Sequence, residues 1–192
     1  MKEKFIEVYD DIIPVELQDY LISITLNKSP NLSSQDDAFL LFFNEGATTP
    51  EGKVDNYDFI FANILYNNDK ENKLNKFSFS FFQVLYKLCD YLKINLHEVF
   101  RMTYYHQPPS IEPKELQPHI DQFFPHWVCL YYLDDSDGDT YFYDNNGTVI
   151  NQVSPKKGRI VFFDGSIYHS ASRPSSTHRK ALNINFIGNF YE

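Results

Sequence analysis

Apolar residues recur at helical spacing in the first half of the chain. Leu17, Leu21 and Ile24, with Ile22 beside them, follow Asp10-Asp11-Ile12-Ile13-Pro14. A proline at a helix start, behind acidic residues, suits an N-terminus, so a helix is predicted over about 14–27. Leu74, Phe77, Phe81, Leu85, Leu88 and Leu92 step by three or four and predict a second helix over 74–93. That stripe reads as a core face lying across a sheet. Short strands are expected at Phe5 to Val8 and, as a buried run, at Ala38 to Phe43. Lys28 to Asp37 is polar and loop-like. Glu45 to Asp58, with Gly46, Pro50 and Gly52, reads as an irregular excursion.

From about residue 97 short apolar runs alternate with turn signals. The runs are 99–105, 126–133, 140–144, 149–153, 159–164, 167–172 and 181–190, separated by Pro, Gly, Asn and Asp clusters. Strands at this spacing predict a sandwich or barrel. Asn146-Gly147 between two such runs signals a hairpin. The expected architecture is mainly β with supporting helices, a jelly roll of the cupin-like, double-stranded β-helix kind. It is read as one domain over 1–192, with helical support to about 97 and the jelly-roll core over about 98–190.

Composition agrees with this picture. Of 192 residues, 18 are Phe and 14 Tyr, types that favour pleated, half-buried surfaces. The formal net charge of −9 opposes a nucleic-acid partner. Lys4, Lys70, Lys73, Lys76 and the Lys156-Lys157 pair read as solvated surface. Cys89 and Cys129 form no C-x-x-C and read as two reduced, buried thiols. The start MKEKFIEVYDD carries charges where a signal peptide needs an apolar run, and no stretch approaches the ~18–20 apolar residues of a membrane span. The expectation is a cytoplasmic protein without a membrane partner.

Candidate chemistry sits in the second half. In a strand, His119 and Asp121 of His-Ile-Asp would share a face and could reach one metal. His169 follows Asp121 by 48 residues, within a β-like run. Two imidazoles and one carboxylate leave coordination positions open, as in non-haem Fe(II) oxygenases. No fourth ligand that would close a structural zinc site is evident. Arg179, ten residues beyond His169, opens a strand in which 179, 181, 183 and 185 share one face. Leu182, Ile184 and Phe186 take the other face and suit the core. Arg179 then points inward with Asn183 and Asn185, where a guanidinium needs an anionic partner such as a dicarboxylate. Lys180, the rival anchor, falls on the wrong face.

The residues His119-x-Asp121, Val128 to Leu133, Asp137-Gly138-Asp139-Thr140, Pro155 to Gly158 with the run 159–164, His169 and Arg179 together resemble the 2-oxoglutarate/Fe(II) dioxygenase superfamily, in its prolyl 4-hydroxylase-like branch. The resemblance covers roughly 100–187. It implies Fe(II) held by His119, Asp121 and His169, and 2-oxoglutarate with its far carboxylate on Arg179. Tyr132 would bond the same carboxylate and Tyr105 would line the pocket. It further implies O2 as co-substrate, succinate and CO2 as products, and hydroxylation of an unactivated C–H on a prolyl, other amino-acid, peptide or small-molecule substrate. Ascorbate is admitted as an additional cofactor. The pattern departs from many relatives in Asp137 and Asp139, and in Arg where many carry Lys. His97, His106, His126 and His178 match nothing in it and read as structural. The loops His106 to Pro118 and Glu45 to Asp58 are expected at the rim. Two other classes share this barrel, a nucleobase or nucleic-acid oxygenase and a cupin-like domain that does not use O2. The Arg179 spacing favours the oxygenases.

Overall fold

The computed structural model describes residues 5–26, 38–45, 59–68, 73–110 and 116–191. Most of the 45–58 excursion, the 28–37 loop and residues 111–115 of the rim loop lie outside them.

The element order is β1 (Ile6–Tyr9), α1 (Val15–Thr25), β2 (Phe42–Glu45), β3 (Phe59–Asn67), β4 (Lys73–Leu74), α2 (Ser78–Leu92), β5 (Ile94–Gln107), β6 (Trp127–Tyr132), β7 (Thr140–Tyr143), β8 (Val149–Val153), β9 (Ile160–Asp164), β10 (Tyr168–Ala171) and β11 (Arg179–Phe190). A large sheet runs β1-β9-β6-β11-β5-β3-β2, with β4 on β3, and a smaller one runs β10-β7-β8. All pairings are antiparallel. The backbone of His119 forms a single bridge to His169 and extends the small sheet by one residue. From β5 onward the chain therefore crosses between the sheets: β5 and β6 in the large one with His119 between them in the small one, β7 and β8 in the small one, then β9, β10 and β11 in alternation. That crossing is the expected jelly roll.

The central strands are buried on both faces, so they read as continuous apolar runs and not as alternating ones. Cys129, Tyr131, Ile160, Phe162, Leu182, Ile184 and Phe186 pack with Leu21 and Ile24 of α1 and Phe81, Leu85 and Leu88 of α2. Val128, Leu130, Tyr132, Val161, Phe163 and Ala181 pack between the two sheets with Phe142 and Ile167. Both cysteines are free and buried. Gly147, at φ +82°, turns the β7–β8 hairpin, a conformation that favours glycine. No described helix is long and apolar enough to cross a membrane.

Several boundaries differ from the sequence reading. The second helix starts at Ser78, not at 74. Leu74 is drawn into β4 opposite Tyr66, and the Asn75 side-chain oxygen accepts the Phe77 N–H at 3.0 Å. The strand placed at 38–43 lies at 42–45, and Leu40 and Phe42 are exposed. β3, which the pattern did not suggest, is the longest described strand before β5. Lys156 and Lys157 do more than face solvent, because they pair with Asp10 and Asp19 and tie the turn before β9 to the N-terminal elements.

Candidate metal centre and co-substrate pocket

His119, Asp121 and His169 come together with their donor atoms within 4.8 Å of one another. His119–Ile120–Asp121 is not the regular strand expected: only His119 is bridged, and Asp121 follows in a bend. The side chains still converge, with His119 Nε2 4.0 Å from Asp121 Oδ1 and His169 Nε2 3.9 Å from Asp121 Oδ2.

Each imidazole is oriented in the same way. Nδ1 of His119 meets the carbonyl of Gln117 at 3.1 Å, and Nδ1 of His169 meets that of Ile167 at 3.1 Å. A carbonyl only accepts, so Nδ1 carries the proton in both rings and Nε2 offers its lone pair. Burial, then the neighbouring His119, pushes His169 down to about 4, which keeps the ring in the neutral, ligating form at neutral pH. Burial alone would raise the Asp121 carboxyl. Arg101, the two histidines and Asn183 outweigh it and hold the group well below the usual carboxylate range.

Asp121 is itself held from β5 and β11. Arg101 Nη2 donates to Oδ1 at 2.7 Å, and the side-chain amides of Asn183 and Asn185 donate to Oδ2 at 2.9 and 2.8 Å. Two donors occupy the lone pairs of Oδ2, so Oδ1, with one donor, is the oxygen left to face a cation. Sequence reasoning placed Asn183 and Asn185 inside but did not find Arg101. The parity that places 179, 181, 183 and 185 inward also puts 101, 103, 105 and 107 of β5 inward, and that signal could have found it.

A cavity of about 540 Å³ opens over these groups. His119, Asp121, His169 and Arg101 line it, as do Tyr105, Gln107, Thr140 and Arg179, with Ile60, Ala62, Leu130, Phe163 and Ala181 as apolar walls. Arg179 is 5% exposed. Its Nε donates to the Gly138 carbonyl at 3.0 Å, Nη1 to Gln107 Oε1 at 3.1 Å and Nη2 to Thr140 Oγ1 at 2.9 Å. Among the described residues no carboxylate forms an ion pair with it. Four residues of β11, about 13 Å of strand, lead from Arg179 to Asn183 beside Asp121. Lys180 points the other way, as its parity requires, and pairs with Asp134 at 2.9 Å.

Tyr105 lines the cavity, whereas Tyr132 does not. The Tyr132 hydroxyl meets Thr140 Oγ1 at 2.7 Å, and the Arg179 guanidinium lies 5.4 Å from the centre of its ring. Tyr132 therefore supports Arg179 from beneath. The Asp137–Thr140 segment serves the same guanidinium. Asp137 accepts from the backbone N–H groups of Ser175, Ser176 and Thr177, which fixes the loop leading to Arg179. A Cβ on Gly138 would lie 2.8 Å from the Ser172 carbonyl. Of the remaining histidines, His97 is exposed on β5, His126 is buried with Nδ1 on the Phe124 carbonyl, and His106 Nε2 meets His178 Nδ1 at 2.8 Å.

Two imidazoles with free Nε2 atoms and a carboxylate with an oxygen left open, with no fourth ligand group among the described residues, fit Fe(II), and a buried guanidinium without an anionic partner among them fits 2-oxoglutarate. A model of the 2OG-Fe(II) oxygenase superfamily matches residues 100–187. No curated protein sequence matches the chain. Among solved structures, a prolyl-4-hydroxylase of Pseudomonas putida is 13% identical at a TM-score of 0.61, covering 96% of this chain and 93% of its own. A prolyl hydroxylase of Trichoplax adhaerens, in complex with a hypoxia inducible factor oxygen degradation domain peptide fragment, is 14% identical at 0.64, over 96% and 84%. A 2OG-Fe(II) oxygenase family oxidoreductase of Burkholderia pseudomallei is 9% identical at 0.69, over 94% and 84%. These likenesses show the fold. The family-model match adds a resemblance to the 2OG-Fe(II) oxygenase superfamily that runs from within β5 to within β11.

Proposed function

We propose that this protein is an Fe(II)/2-oxoglutarate-dependent dioxygenase that hydroxylates an unactivated C–H of a prolyl, other amino-acid or peptide substrate. In this reading His119, Asp121 and His169 are the iron ligands and Arg179 is the co-substrate anchor. The observation that carries it is the buried Arg179, without a carboxylate partner among the described residues, in one cavity with the three donors. When bound, Fe(II) with 2-oxoglutarate supplies the oxidising chemistry, consuming O2 and releasing succinate and CO2 as the C–H becomes C–OH.

The chain's own residues bind, orient and exclude water. His119 and His169 present Nε2 because their Nδ1 protons are tied to backbone carbonyls. Asn183 and Asn185 hold Asp121 by one oxygen so that the other faces the cation. Arg179 binds the far carboxylate through the N–H groups left free by Gly138, Gln107 and Thr140, with Tyr132 beneath it. Leu130, Phe163 and Ala181 keep that end of the cavity dry, which strengthens the ion pair. The prolyl hydroxylases among the structural relatives, one holding a peptide, support the substrate class. A cupin-like domain of another chemistry has no use for a buried cation at this position.

The test is succinate release from 2-oxoglutarate with Fe(II), screened against peptides, free amino acids and oligonucleotides. Stimulation by an amino-acid or peptide substrate is expected. Stimulation by oligonucleotides alone would overturn the substrate class, and 2-oxoglutarate turnover independent of Fe(II) would overturn the reaction.

A further inference from the structure

Arg101 lines the same cavity as Arg179 but stands farther along the β5–β11 ladder, near its middle. Arg179 faces Gln107 across the ladder and Asn185 faces Arg101, so six residues, about 20 Å of strand, separate the two levels. A five-carbon dicarboxylate reaching from the Arg179 level to a cation at Asp121 lies on the Arg179 side of the metal ligands. Arg101 is left for something else.

Its donors are mostly unengaged. Nη2 gives one hydrogen bond to Asp121 Oδ1. The Nε–H is buried and meets no acceptor among the described residues. The side chain is 27% exposed, open to the cavity. A buried donor without an acceptor calls for a ligand or an ordered water. Charge balance points to an anion. The divalent cation and the dicarboxylate cancel, Asp121 offsets one guanidinium, and the other positive charge is uncompensated in a water-poor site. The cavity wall on the Arg101 side includes apolar Ile64, opposite Thr103 on the neighbouring strand, and Phe123, two residues beyond Asp121.

We propose that Arg101 is a receptor for a carboxylate on the substrate, which makes the substrate a compact carboxylic acid with an apolar body, such as a free amino acid, and not an internal residue of a peptide, whose carbonyl is neutral. This rests on the oxygenase reading of the site. Arg101 also touches a metal ligand, so its two roles have to be separated by measurement.

The experiment uses the full chain loaded with Mn(II) and saturated with 2-oxoglutarate, without turnover. Proton relaxation of acetate by the bound Mn(II) is compared with that of acetamide, its neutral isostere. Acetate is expected to relax more strongly, with an apparent affinity about tenfold or more above that of acetamide. Arg101→Gln is expected to bring acetate to the acetamide level while 2-oxoglutarate still binds. Equal relaxation of the two probes in the wild type overturns the assignment. So does an acetate preference that survives in Arg101→Gln, which would put the probe on the cation alone. A loss of 2-oxoglutarate binding in Arg101→Gln with the acetate preference intact would assign Arg101 to the co-substrate. Should Arg101→Gln fail to hold Mn(II), Arg101→Lys decides: it keeps charge beside Asp121 but lacks the forked donors, and an undiminished preference there counts against the receptor. Failure of the oxygenase reading looks different, because 2-oxoglutarate would then leave the water relaxation of wild-type Mn(II) protein unchanged.

Discussion

His119 and His169 are joined by a reciprocal pair of backbone hydrogen bonds, 3.0 Å from His119 N to His169 O and 2.9 Å in the reverse direction. Residues 50 apart in sequence are thus fixed side by side before any cation is involved. Metal affinity then depends on the side chains and not on a costly rearrangement of the chain. His169→Ala is expected to keep the fold and lose tight Fe(II) or Mn(II) binding. Circular dichroism and an anaerobic metal titration check the two parts, and unchanged affinity would remove His169 from the ligand set.

Arg179→Ala leaves a buried trough without its cation. Removing one member of a desolvated charged pair costs about 2–5 kcal/mol, so the 2-oxoglutarate requirement should rise by well over tenfold with little change in metal affinity. Lys180→Ala, which removes a side chain paired with Asp134, should leave the co-substrate titration unchanged.

Gly138→Ala forces a Cβ to within 2.8 Å of the Ser172 carbonyl and 3.0 Å of Pro174 N. These are backbone atoms, so the loop must shift, at a cost of about 1–3 kcal/mol. The Gly138 carbonyl also accepts Arg179 Nε, so 2-oxoglutarate affinity should fall together with the melting temperature. Normal affinity in a destabilised variant would separate the loop from the anchor.

Asp10 accepts from Arg159 Nε and Nη2 at 2.8 and 3.0 Å and from Lys156 Nζ at 3.1 Å. The Arg159 hydrogen bonds are the main cause that lowers its carboxyl to about 2, against an opposing effect of burial and with help from Lys156. The folded value lies below the unfolded one of about 3.9. The stabilisation is therefore present above pH 4 and is lost as pH falls toward 2. Half-exposed Lys156 and solvent screening limit it to about 1 kcal/mol. Asp10→Asn should melt slightly lower than wild type at pH 7, and the difference should shrink as pH falls through 2.

Residue parity made much of the site legible. On β11 the alternation of Arg179, Ala181, Asn183 and Asn185 with Leu182, Ile184 and Phe186 fixed which side chains meet the cavity, because one face had to bury against the helices. Elements that depend on distant pairing were less legible. Leu74 fits the helical period of α2, but its pairing with Tyr66 takes precedence. β3 is held by β5 and β2, and its Asn63 bonds the Leu40 carbonyl, contacts that no local pattern shows. Tyr132 was legible as a residue near Arg179, but its hydroxyl goes to Thr140, a partner brought by a different strand. Arg101 shares the inward parity of β5, but nothing local in the sequence shows that Asp121 lies against it.

The central claim is that one cation sits among His119, Asp121 and His169 with 2-oxoglutarate running from it to Arg179. The most direct measurement is the visible charge-transfer absorption of the anaerobic protein with Fe(II) and 2-oxoglutarate. The band should appear in the wild type, be absent in His169→Ala, and require far more 2-oxoglutarate in Arg179→Ala. An iron-loaded wild type without the band, or a band unchanged in His169→Ala, would contradict it.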